Sequence, residues 1–274
     1  MTSILSLPSL KFDRLRLWPT RFTLAHVLLP GLLLVIGTAA LMFGGGDMWL
    51  AQQAYALQGG SWVLRNHLVT EVLVHRGGRL LATLAWLFLL GWLLVSWFTD
   101  SSRHRRRTLI YLLLSVLCSV VLVTLLKRVL VVDCAWSVVG LGGDRMHLTL
   151  LDPRPASYMA DHCFPAAHAS VGYAWLALYF AGFGCRRSRL LGLAIGLAAG
   201  LLFGISQQLR GAHFASHDLW AAMICWTVAM SWRPLLGGAT IGRDNEILAE
   251  RKQRQAVAVA AKQSQRPRTA SKGT

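Results

Sequence analysis

Ser206-Gln-Gln-Leu-Arg-Gly-Ala-His-Phe-Ala-Ser-His-Asp218 lies directly between two apolar runs, Leu190 to Ile205 and Leu219 to Trp232. Both runs read as membrane crossings. Four ionisable groups, Arg210, His213, His217 and Asp218, crowd into nine residues at their shared edge. Ionisable groups there are costly unless they are paired or used, so they are functional candidates. An earlier stretch, Cys163-Phe-Pro-Ala-Ala-His168-Ala-Ser170, opens another apolar run in the same way.

Working outward, the 274 residues are 54% hydrophobic and 15% charged, with a mean hydropathy of +0.47. That balance excludes an ordinary soluble domain and fits an all-α, polytopic membrane protein. Six spans are expected, at about 22–43, 80–98, 109–126, 164–183, 190–205 and 219–232, and the first has the roughly 20 residues that cross a bilayer core of about 30 Å. Gly192, Gly196, Gly200 and Gly204 put small residues on one face of the fifth, which permits close helix packing. Residues 1–21 read as a basic cytoplasmic arm, 22–236 as the membrane domain and 237–274 as a basic, mostly disordered tail. Within the domain, 45–78 reads as an interfacial segment with its Trp49 and Trp62, and 128–164 as an outer loop.

The net charge of +16 raises the question of nucleic acid. Most of the 28 Lys and Arg, however, fall in four alternate segments: before the first run, at Arg103 to Arg107, at Arg186 to Arg189, and after Ser231. Such alternation marks cytoplasmic segments. The basicity is therefore topological, and no nucleic acid is expected. Both termini then lie inside, and Lys127, the 128–164 loop, His168, Arg210 and His213 all fall on the outer face. Cys118 and Cys225 sit in spans and Cys185 in a cytoplasmic loop, whereas Cys134 and Cys163 share the outer side, where a disulfide is permitted.

Histidines suit nucleophilic and acid–base roles near neutral pH. Phosphoryl transfer through a phosphohistidine asks for one attacking imidazole, a proton donor for the leaving oxygen, and cations around the phosphoryl group. Lys127, Arg128 and Arg210 supply cations, and Asp218 or His217 is placed to fix the tautomer of His213. Other readings stay open. His213 and His217 form an i, i+4 pair of metal-ligand type, without the glutamate that a zinc-protease motif would carry. Either histidine can also be an internal hydrogen-bonding group, and Lys127 a snorkelling anchor.

These residues resemble the type 2 phosphatidic acid phosphatase superfamily, in a bacterial membrane branch with degenerate motifs. That family carries K-x6-R-P, P-S-G-H and S-R-x5-H-x3-D blocks. Lys127 matches the first, Pro165 and His168 the second, and Ser206 and His213 the third, in order over residues 127–218. Cys134, Ala135, Ala166, Ala167, Gln207 and His217 stand where the family has other residues. The resemblance implies a six-helix membrane phosphatase acting on a phosphorylated membrane lipid at the outer face of the bacterial inner membrane. It further implies His213 as nucleophile, His168 as general acid and Lys127 as a phosphate ligand, with no metal or cofactor; Arg210, one turn beyond the Gln207 that replaces the family's arginine, and Arg128 are taken with Gln207 as further phosphate ligands from their positions.

Overall fold

A computed structural model describes residues 20–99, 102–154, 158–159, 161–181, 186–236 and 253. The arm and the tail expected at 1–21 and 237–274 fall almost wholly outside these residues, as does the Cys185 loop. Among the described residues the chain is helical, with a single isolated bridge between Val138 and Arg145.

Among the described residues four helices are long and apolar enough to cross a membrane: α1 at Leu24–Phe43, α3 at Leu68–Phe98, α4 at Arg103–Val129 and α6 at Arg186–Leu209. Between the first two lies α2 at Gly46–Leu57. A broken helix, α5, covers 167–181, with a 3-10 turn at Ala174–Leu176 in its middle. The last is α7, Ala215–Trp232. The six spans read from hydropathy thus divide into four that qualify and two that do not. The short α5 is interrupted, and α7 opens on Ser216, His217 and Asp218.

The second span begins at Leu68 rather than Leu80, so residues 68–78 belong to a spanning helix and not to an interfacial segment. Its first ten residues, Leu68–Gly77, are π-helical. A pitch that bonds i to i+5 lines up residues five apart. Accordingly, Arg76 Nε donates to Glu71 Oε1 at 2.9 Å. Glu71, Arg76 and Arg79 depress the hydropathy of this stretch, but the helix tolerates Glu71 because two arginines partner it.

Bare glycines permit a close helix contact. A Cβ on Gly196 would stand 2.6 Å from the Leu176 nitrogen, one on Gly200 2.0 Å from the Tyr173 ring, and one on Gly172 2.5 Å from the Ala199 backbone. The glycine stripe of α6 therefore packs backbone to backbone on α5, as small-residue spacing predicts. At the other end of the bundle the wholly buried Tyr111 donates to the Ala229 carbonyl at 2.9 Å, tying α4 to α7. By contrast α1 and α3 are peripheral and present Leu28, Leu32, Leu33, Leu81, Leu84 and Phe88 outward. Exposed apolar surface of that extent is what lipid covers.

The 129–164 connection is ordered by a buried carboxylate. Asp133 accepts from Arg145 at 2.5 Å and from the hydroxyl of Tyr158, while Arg145 also pairs with Asp161 at 3.2 Å. A disulfide joins Cys134 to Cys163, with Cα atoms 5.1 Å apart at a sequence separation of 29.

Candidate functional site

The site forms where α4 ends, α5 begins and the α6–α7 connection passes between them. Leaving α6 at Leu209, the chain turns through Gly211, whose φ of +71° favours glycine and whose missing side chain admits the Trp62 ring. Ala212 and Gly211 donate back to the carbonyls of Gln207 and Gln208, both at 2.9 Å, and Trp136 donates to Gly211 at 2.8 Å. These bonds hold His213 in an extended segment just before α7.

The N-terminus of α7 is capped from far away in sequence. Asp47, at the start of α2, accepts from the Ser216 amide at 2.9 Å and from the Ser216 hydroxyl at 2.5 Å. Such a cap satisfies the orphan amides of a first turn and complements the helix dipole. Burial raises the pKa of Asp47, and the Ser216 bonds pull against that rise.

His213 and His217 are buried, with ring centroids 5.7 Å apart, and both lie against the Cys163 main chain. Phe164 and Phe214 enclose the His217 ring at 5.2 and 5.4 Å. Burial first, then the charges of Lys127 and His217, hold His213 well below the usual imidazole range, so it is a neutral base. His168 joins the same electrostatic neighbourhood. Lys127 is half-buried and has no carboxylate partner among the described residues. Nδ1 of His213, Nδ1 of His217 and Nε2 of His168 are buried without a hydrogen-bond partner. Buried polar atoms of that kind are rare and call for an explanation.

Other expected site residues lie elsewhere. Asp218 does not reach His213: it accepts from Gln208, and its carboxylate fills the space that the bare Gly204 leaves on α6. The spacing argument assumed a helix through His213, whereas the helix starts at Ala215. Arg128 is exposed at the end of α4, outside the cluster. Arg210 is committed. Its guanidinium donates to Glu71, to the Arg65 carbonyl at 2.8 Å and to Gln207 Oε1 at 3.2 Å. Because arginine only donates, Gln207 must present its oxygen to Arg210 and its amide nitrogen to Nδ1 of His75, 2.8 Å away. His75 Nδ1 is then the acceptor, and its proton sits on Nε2. Gln207 is a relay between two side chains rather than a free phosphate ligand.

Sequence reasoning missed His75 and Glu71. The His75 ring lies 4.2 Å from that of His168, so the Glu71–Arg210–Gln207–His75 chain ends on the candidate acid. Their i, i+4 spacing in an otherwise apolar run was the available signal. Among the described residues no cluster of His, Cys, Asp and Glu has the makings of a metal centre. Compared with family models, with curated proteins and with solved structures, the chain finds no match.

Proposed function

We propose that the protein is a membrane phosphatase of phosphorylated lipids that works through a phosphohistidine on His213. The observation that carries this reading is the set of imidazole nitrogens on His168 and His213 that have no partner among the described residues, beside Lys127, a cation with no carboxylate partner among them either. Two imidazole nitrogens able to accept and a cation able to pair are the groups that a phosphoryl anion needs around it. Neutral His213 attacks phosphorus and the bond to the leaving oxygen breaks; His168, a free base until the bound anion draws a proton onto it, gives that proton to the leaving oxygen. Water then attacks the phosphohistidine, loses a proton to His168 and releases phosphate. Lys127 offsets the charge on the phosphoryl oxygens throughout.

The same reading includes six crossings, with 167–181 and 215–232 added to the four long helices, both termini on the cytoplasmic side of a bacterial inner membrane, and the histidines facing outward. The basic ends of α4 and α6, at Arg103 to Arg107 and Arg186 to Arg189, support that orientation. It also takes the motif matches at Lys127, Pro165, His168, Ser206 and His213 as membership of the type 2 phosphatidic acid phosphatase superfamily. A lipid phosphotransferase passing through the same intermediate shares every feature named.

A second reading, a non-catalytic binder of lipid head groups, is favoured by one observation: Arg210 already spends its donors on Glu71, Gln207 and Arg65. Phosphate release decides between them. Detergent-purified protein is given phosphatidic acid, phosphatidylglycerol phosphate, undecaprenyl diphosphate and lipid A in the presence of EDTA, with His213→Ala as control. Release that survives EDTA and vanishes in the variant supports the phosphohistidine. No release by folded protein overturns it in favour of binding alone.

A further inference from the structure

Three cavities run end to end along α3. The first, about 430 Å³, is lined by Glu71, His75, Arg76, Arg79, Leu80 and Thr83. It shares Arg79 and Thr83 with a second of about 260 Å³, walled by Trp86, Val116, Leu117, Val120, Val171 and Trp175. That one shares Trp86 and Leu117 with a third of about 240 Å³, reached past Leu90 and Leu93 and lined wholly by apolar side chains. Together they make one furrow between α3, α4 and the start of α5, polar at the His75 end and hydrocarbon beyond Thr83. From Arg79 to Leu93 the helix advances about 21 Å, at 1.5 Å per residue. That exceeds half of a hydrocarbon core of about 30 Å.

Arg79 stands at the junction. Among the described residues its guanidinium makes no ion pair, hydrogen bond or ring contact, although it belongs to a membrane-crossing helix. Exposed and unpaired at the mouth of an apolar track, this cation is free to meet an anionic head group there. It is also close enough to His75 and His168 to act on both electrostatically. The chemistry along the furrow is therefore ordered: imidazole and guanidinium first, then indole and aliphatic walls.

We propose that this furrow holds the lipid itself, with a phosphate head group on Arg79 and one acyl or prenyl chain lying between Trp86 and Trp175, so that the lipid reaches His168 sideways from the bilayer. The proposal rests on the lipid-phosphate reading above but makes its own claim, that Arg79 and the α3–α4–α5 furrow bind. Charge complementarity fixes the occupant: the cations sit only at the mouth, so a neutral lipid gains nothing there and a soluble phosphate leaves the apolar track empty.

The test is equilibrium binding, which needs no turnover. Full-length protein in detergent micelles is titrated with phosphatidic acid carrying brominated acyl chains, which quench nearby indoles. Saturable quenching is expected, most of it lost when Trp86 and Trp175 are both replaced by Phe. Arg79→Gln is expected to raise the midpoint about fivefold, the weight of one cation against an anionic head group, and Arg79→Lys much less. Leu117→Trp, which fills the track instead of emptying it, weakens binding without removing a charge. Each variant is compared at matched gel-filtration profile. An unchanged midpoint in Arg79→Gln and Leu117→Trp, or an equal midpoint for brominated phosphatidylcholine, overturns the furrow. Arg79-dependent binding without phosphate release from any lipid overturns catalysis and leaves the furrow standing; release with Arg79-independent binding does the reverse.

Discussion

The pair between Arg210 and Glu71 joins the end of α6 to the π-helical start of α3 across 139 residues of sequence. Its side chains are 10% and 18% exposed, so both charges are largely withdrawn from water. Removing one member of a buried pair costs roughly 3 to 5 kcal/mol, because the other charge is stranded. The two losses are unequal here. Glu71→Gln leaves Arg210 with only the Gln207 oxygen and the Arg65 carbonyl, and is expected to cost about 3 to 4 kcal/mol. Arg210→Met leaves Glu71 still paired with Arg76 at 2.9 Å, and is expected to cost about 2 to 3 kcal/mol. With both replaced, no charge is stranded, so the double variant should cost less than the sum by about 1 to 3 kcal/mol. The assay is reversible denaturation in mixed micelles, read as unfolding free energy for the parent, both single variants and the double. Strict additivity would refute the pairing, and with it the tautomer assigned to His75.

Further outcomes are expected. Replacing Cys134 and Cys163 together by Ser should lower stability by roughly 3 to 4 kcal/mol, the chain-entropy value for about 29 enclosed residues, and dithiothreitol should produce the same loss in the parent. Gly196→Ala should destabilise by more than about 2 kcal/mol, since its methyl meets the Leu176 backbone, which cannot swing aside. Gly91→Ala, with nothing within 4 Å, should instead stabilise α3 by up to about 1 kcal/mol, as measured in the same denaturation series. Burial holds both His213 and His147 below the ordinary 6.5, so the folded chain binds fewer protons there than the unfolded chain. Stability contributed by these two groups must therefore fall as pH drops below about 6.5, by at most about 1.4 kcal/mol per pH unit for each. His147→Gln should remove one share of that slope. In a phosphatase assay the acid limb assigned to neutral His213 should likewise lie below pH 6.5.

Most of the helical frame was readable because its cause is local. Continuous apolar runs gave α1, α4 and α6, and the four-residue glycine period gave the face on which α6 meets α5. The start of α3 was hidden because its cause is remote: Glu71 makes Leu68 to Gly77 look polar until Arg210 arrives to neutralise it. The same remoteness concealed His75, whose role depends on an amide orientation fixed by that arginine. His168 and His213 were legible as polar groups at the edges of apolar runs. Asp218 was misassigned because residue spacing carries geometric meaning only inside a helix, and His213 precedes the helix. Nothing local announced Asp47 as the cap of α7, since its partner Ser216 lies 169 residues away.

That cap sets an order of events during synthesis. Asp47 leaves the ribosome early, and its carboxylate has no bonds to Ser216 until nearly four-fifths of the chain has been made. The His213 segment, in turn, has a fixed helix start only once α2 has waited for α7 and received it. Truncated chains ending before Ser216 would thus carry an Asp47 carboxylate without the two Ser216 bonds that hold it in the finished bundle.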